Sequence, residues 1–146
     1  MTIQLEHANL SVPDVEEALR FVRTAFPDFR LRWDGHTLQG WRAVHVGNDE
    51  TYLALTEAPK AAAEEWVPYG GKPGLNHLGF VVDDAEGVRE RLAAAGYHDS
   101  TFPNAHPHRT RVYFHDAFGN DWEFVEYHTD DPALRNDYEL ADPALA

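Results

Sequence analysis

At 146 residues, with a formal charge of −13 and no cysteine, the chain is long enough for one domain with a real core and too short for two ordinary ones. The missing thiols exclude disulfides, cysteine nucleophiles and cysteine-ligated zinc or iron–sulfur sites, and the acidic balance speaks against nucleic acid, whose phosphates need clustered Lys and Arg. The opening residues Met1 to His7 carry neither the basic region nor the apolar run of a signal or membrane segment, so a cytoplasmic protein with no membrane partner is expected.

From Ile3 to Val12 apolar and polar residues alternate, Ala8, Leu10 and Val12 on one side and His7, Asn9 and Ser11 on the other, which predicts a strand with one oily face. Asp14 is placed to cap a following helix, with Glu17 three residues on, and Val15, Ala18, Leu19, Val22 and Phe26 form one apolar stripe at helical spacing before Pro27 ends it. Phe29 to Trp33, Gly40 to Val46 and Tyr52 to Thr56 read as three strands, turning at Asp34-Gly35 and at Gly47-Asn48-Asp49. Between Glu57 and Gly74 the composition shifts to Ala, Pro, Gly and Lys, as in a linker, with room for a short helix over Ala61 to Trp66.

The order then repeats. A strand through His77 leads to a helix from Ala85 to Ala95 with a Gly96 stop, followed by strands near Asp99 to Phe102, Arg109 to His115 and Asp121 to Tyr127. Superposing His7 on His77 brings Val12 onto Val82, Asp14 onto Asp84 and Glu16 onto Glu86, the mark of a duplicated unit. The expectation is an α+β chain, a single domain of two tandem βαβββ modules. Module one runs about 3–57, the linker about 58–73, module two about 74–128, and an acidic, aperiodic tail covers 129–146.

His7 and His77 occupy equivalent places on the strand face opposite the helix-packing one. Glu123 shares its face of the last strand with Val125 and Tyr127, where a carboxylate needs a partner cation. Two neutral imidazoles and one carboxylate form a facial set suited to a divalent metal with open positions for water or substrate.

The runs His7 to Asp14, His77 to Asp84 and Tyr113-Phe-His-Asp116-Ala-Phe-Gly119-Asn-Asp-Trp-Glu123-Phe resemble the vicinal oxygen chelate superfamily, the glyoxalase, bleomycin-resistance and ring-cleaving dioxygenase group. The resemblance extends from about Ile3 to His128, and its most specific part is the turn that precedes Glu123. It implies a half-open β-barrel of two βαβββ modules and a divalent metal site of His7, His77 and Glu123, with iron, manganese, zinc, nickel or magnesium as the candidate ion. It also implies a small-molecule substrate and a homodimer. Bleomycin-binding members keep the fold without the metal, so the ligand triplet rather than the fold points to chemistry.

Glyoxalase I draws a fourth ligand from the last strand of the first module, where this chain has Ala54 at the likeliest match. Superposing Gly47-Asn48-Asp49 on Gly119-Asn120-Asp121 matches Thr51 to Glu123 instead, and a shifted strand would offer Glu50. Three ligands resemble the ring-cleaving dioxygenases and the fosfomycin-resistance transferases more than glyoxalase I. The acidic residues Glu126, Asp130 and Asp131 that follow Glu123 argue against an anionic phosphonate substrate. Tyr113, His45 and His108 are the candidate catalytic residues, set against core or loop roles. The expected function is a metal-dependent enzyme acting on a substrate with two neighbouring oxygens, most like a ring-cleaving dioxygenase. The alternatives are a glyoxalase-like lyase or isomerase, and a non-catalytic binder using Trp33, Trp41, Trp66, Tyr52 and Tyr113.

Overall fold

The computed structural model describes residues 3–58, 67–71 and 73–139, and the chain forms two compact units, Met1–Trp66 and Val67–Ala146. In the first unit the elements run β1 (His7–Val12), α1 (Val15–Ala25), β2 (Arg30–His36), β3 (Arg42–Gly47) and β4 (Tyr52–Glu57). The sheet order is β1-β4-β3-β2, with β1 parallel to β4 and the other pairs antiparallel. In the second they run β5 (His77–Val81), α2 (Ala85–Ala94), β6 (His98–Asp99), β7 (Arg109–His115), β8 (Asp121–Tyr127) and α3 (Pro132–Arg135). Its sheet order, β5-β8-β7-β6, has the same parallel pair at the same place. The predicted duplication is thus present in the hydrogen bonding. The segment 61–66, where a short helix was expected, lies outside the described residues.

Each sheet packs one face on its helix. Val44, Val46, Leu53 and Leu55 meet Val15, Phe21 and Val22 in the first unit, while Val112, Phe114 and Phe124 meet Val88 and Leu92 in the second. Asp14 and Asp84 cap the two helices by accepting the backbone N–H of Glu17 and Gly87 at 3.1 and 2.8 Å. No helix among the described residues is long and apolar enough to cross a membrane.

Three expectations shift. Asp34-Gly35 does not turn but continues β2 to His36; Arg42 on β3 takes both Asp34 oxygens, and Gly35 leaves the room that the Trp33 ring occupies. The turn lies at Thr37 to Trp41, where Gly40 adopts φ +81. The strand expected over Asp99 to Phe102 shortens to His98–Asp99 because the Thr101 hydroxyl accepts the Tyr113 N–H at 2.9 Å, replacing a ladder bond. In the tail, Asp131 caps a short helix with Pro132 in its first turn, and Arg135 fastens it by donating to the Thr129 carbonyl at 2.6 Å and to Asp130 at 3.1 Å.

The turn between β7 and β8 hangs on Asp116, only 8% exposed. Its carboxylate accepts the backbone N–H of Phe118 and Asn120, the Asn120 side-chain amide and the Trp122 indole N–H, at 2.8 to 3.2 Å. Asp116→Ala strands these donors, and we expect urea unfolding to show a loss of at least about 2 kcal/mol. An unchanged midpoint would mean that the turn holds without the carboxylate.

Candidate functional site

Strand register decides which side chains meet on the face away from each helix. In the second unit His77 lies opposite Asp121, and Gly79, Glu123 and Tyr113 form one row across β5, β8 and β7. In the first, His7 lies opposite Tyr52, and Asn9, Ala54 and His45 form the corresponding row across β1, β4 and β3. The counterpart of Glu123 is therefore Ala54, not Thr51 or Glu50, and the counterpart of Tyr113 is His45.

The second unit brings His77, Glu123 and Tyr113 together. His77 Nε2 stands 3.0 Å from Glu123 Oε2. Tyr113, 4% exposed, stands opposite Glu123 in the register and meets the His77 ring edge-on at 6.0 Å. Burial, and after it the negative charge of Glu123, hold the Tyr113 phenol well above the usual tyrosine range.

The sequence reading missed Tyr69, a linker residue with no periodicity around it. Its backbone has φ 61, and its N–H is held by Asn76 Oδ1 at 2.8 Å. The Tyr69 hydroxyl lies 2.6 Å from His77 Nδ1 and donates to Asp121 at 3.3 Å. The Tyr69 hydroxyl thus links His77 Nδ1 to Asp121, while His77 Nε2 faces Glu123. Asp121 is itself bonded by the Ser100 hydroxyl at 2.9 Å. Burial, then Asp121, raise the Tyr69 pKa as well.

In the first unit His7 Nδ1 is engaged by Glu6 at 3.0 Å, again leaving Nε2 free of that contact. An aromatic row extends from it: His7 stacks on Tyr52 at 4.7 Å, Tyr52 meets His45 at 4.9 Å, and His45 meets Trp33 at 5.2 Å. A bulge between Leu31 and Trp33 lets Arg32 lie over the Tyr52 ring at 4.3 Å. Burial, then the charges of Arg32 and His7, hold the His45 imidazole below its usual value.

Other candidates stand apart. His108 precedes β7, five residues and about 17 Å of strand from Tyr113, and its ring meets His106 at 5.9 Å. Trp33 and Trp41 are 43% and 42% exposed; Trp66 lies outside the described residues. The acidic neighbours of Glu123 are used locally: Glu126 accepts the Ala85 N–H, Asp130 binds Arg135 and Asp131 caps α3.

The donor chemistry suits a divalent ion. Each histidine has its Nδ1 engaged by another group, as metal-bound imidazoles do, and Glu123 Oε2 lies beside His77 Nε2. His77 and Glu123 belong to the second unit and His7 to the first. Within either unit, among the described residues, no three His, Asp or Glu side chains are grouped to hold an ion.

The duplicated βαβββ order, the parallel pairing and the turn before Glu123 define one class of protein. The chain belongs to the Glyoxalase/Bleomycin resistance protein/Dioxygenase superfamily, whose family model matches residues 4–124. No curated protein matches it. Among solved structures it is similar to a glyoxylase/bleomycin resistance protein/dioxygenase domain from Frankia sp. EAN1pec, at 22% identity and TM-score 0.71 over 87% of this chain and 99% of that one. It is similar to the fosfomycin resistance protein FosX from Listeria monocytogenes complexed with Mn(II) and sulfate, at 16% identity and TM-score 0.64 over 92% and 98%. TnmS3, an antibiotic binding protein from Streptomyces sp. CB03234, is similar at 20% identity and TM-score 0.63 over 86% and 97%.

Because the charge of Glu123 helps to hold the Tyr113 proton, Glu123→Gln in the metal-free protein should bring the Tyr113 pKa down. Alkaline absorbance titration, with Tyr113→Phe identifying the signal, should show its ionisation at lower pH than in the parent. An unmoved or higher midpoint would deny the contact.

Proposed function

We propose that this is a metal-dependent enzyme whose small substrate binds through two neighbouring oxygens, with His7, His77 and Glu123 as the protein ligands. The observation that carries the reading is the register, which makes Ala54 the counterpart of Glu123: an alanine cannot ligate, so the proposed set stops at three and leaves positions for a chelating substrate. Bound there, a divalent ion supplies Lewis-acid stabilisation, with oxygen-dependent ring cleavage as the preferred reaction where it is iron(II), and lyase or isomerase chemistry where it is zinc, nickel, manganese or magnesium. The Mn(II) in the Listeria relative supports a divalent ion.

The side chains have separable tasks in this reading. Tyr69 orients His77, and Tyr113 orients Glu123. With its proton tightly held, Tyr113 serves as a donor to a developing charge rather than as a base at neutral pH. His45, kept neutral, is the proton acceptor on the other row. The aromatic row of the first unit favours a second reading, a non-catalytic binder of a flat ligand, in line with the antibiotic-binding relative.

Calorimetric titration with manganese(II), zinc and anaerobic iron(II) separates the two. His7→Ala, His77→Ala and Glu123→Ala should each abolish tight binding in a folded protein, while Ala54→Glu should strengthen metal retention and reduce turnover of a bidentate substrate. Full affinity in one of the three removes that residue from the set, and no stoichiometric metal in the parent leaves the binder.

The proposal includes a homodimer, since each sheet ends on edge strands, β1 and β2 in one unit and β5 and β6 in the other, that invite cover by a second copy. Light scattering should give twice the chain mass. A monomer at high micromolar concentration would contradict it.

A further inference from the structure

Because β6 is only two residues long, it pairs with the end of β7 alone, His98 with His115 and Asp99 with Phe114. The start of β7 is therefore bordered not by a strand but by the irregular segment after Ser100, and a cavity of about 340 Å³ opens there, lined by Arg89, Phe102, Asn104, His106, Arg109 and Arg111 among others. None of its lining residues is acidic. In a chain of net charge −13, three arginines line one small cavity.

Their hydrogen bonding is incomplete. The Nε atoms of Arg89, Arg109 and Arg111 are all buried with no hydrogen-bond partner, although buried donors are almost always satisfied. Arg89 has its charge balanced by Glu86 at 3.1 Å and by Asp99, whose oxygen lies off the bonding direction at 3.4 Å. Arg109 and Arg111 have no ion-pair partner among the described residues. Arg109 is 7% exposed; its guanidinium donates to the Arg135 carbonyl at 3.2 Å and lies 5.6 Å from the Tyr138 ring. A charge so far removed from water, without a counterion, is costly unless an anion completes it.

The walls are set in place. The Asn104 amide donates to the Phe102 carbonyl at 2.8 Å. His106 takes the His108 N–H on Nδ1 at 3.1 Å and meets the Asp137 carbonyl through Nε2 at 2.9 Å, so both ring nitrogens are committed and the imidazole holds the segment against the tail. The Phe102 ring, on the cavity wall, touches Tyr113 at 4.8 Å.

We infer that this cavity is a binding site for the oxyanion group, carboxylate or phosphate, of a small ligand, with Arg109 and Arg111 as its recognition residues. Guanidinium groups present paired N–H donors in the planar geometry that both anions accept, and the volume suits a small molecule. The inference does not depend on a metal, and the test is made on metal-free full-length protein.

Proton–nitrogen correlation spectra resolve arginine Nε–H signals, the donors that lack partners. Titration with inorganic phosphate and, separately, with acetate, at constant ionic strength in chloride, should shift the Arg109 and Arg111 signals saturably with at least one anion. The tighter of the two names the group. Arg111→Gln should weaken that binding at least tenfold, and Arg111→Lys, which keeps the charge but loses the planar fork, should recover only part of it. If Arg109→Gln does not fold, the Arg111 pair decides alone. Absence of saturation with both anions, an equal response to chloride, or parental affinity in Arg111→Gln would overturn the inference.

Discussion

The arrangement depends on the parallel pairing of each unit's first strand with its last. A hairpin could not do this, since consecutive strands meet antiparallel; parallel strands need a crossover. Here α1 and α2 begin that crossover and two further strands complete it before the chain returns. Two residues distant in sequence, Gly79 and Glu123, are thereby put side by side. Gly79 matters in that pair, because a side chain there would lie against Glu123, with its Cβ 3.7 Å from Oε2. The same pairing in the first unit sets Asn9 beside Ala54. One backbone frame thus presents a histidine twice and a carboxylate once.

Around that frame the polar groups of the second unit form a continuous chain. Ser100 and Tyr69 donate to Asp121, the Tyr69 hydroxyl meets His77 Nδ1, His77 Nε2 faces Glu123, and the charge of Glu123 reaches Tyr113. Each link limits the freedom of the next, so the orientation of His77 is set by a residue outside the sheet. Tyr69 reaches it from a left-handed backbone conformation that costs energy for a side chain of that size. The hydrogen bonds to Asn76, His77 and Asp121 offset that cost, which ties the local loop conformation to the site.

Much of the frame was legible in the sequence, because its signals are local. The alternation through His7, the Asp14 cap, the Gly96 stop and the turn before Glu123 each depend on neighbours within a few residues, and each appears in the structure. The errors were long-range. Asp34-Gly35 has turn chemistry, yet an arginine on the adjacent strand and the bulk of Trp33 draw it into β2. Asp99 to Phe102 has strand composition, yet the Thr101 hydroxyl competes for the ladder. Tyr69 carried no signal, because its role arises from a hydrogen bond across folded space. Of the candidate site, the likeness of the two opening strands pointed to His7 and His77 and the face of the last strand to Glu123, whereas the choice among Ala54, Thr51 and Glu50 needed the register.

Charge behaved in the same way. The net −13 describes the whole chain, and in the sequence the acidic residues after Glu123 argue against an anionic phosphonate substrate. In the folded unit those carboxylates are consumed one by one: Glu126 at the start of α2, Asp130 by Arg135, Asp131 at the start of α3. Asp116 is spent within its own turn, and Asp121 on Ser100 and Tyr69. Each is neutralised or hydrogen-bonded within a few ångströms, and beyond such contacts the surrounding water and salt screen what remains. What a ligand meets at the start of β7 is therefore set by Arg109 and Arg111, which have no ion-pair partner among the described residues and whose sign is opposite to that of the protein. An acidic protein can attract its ligand through a cationic cavity, and the net charge then discourages anions everywhere except where arginines lack a counterion among the described residues.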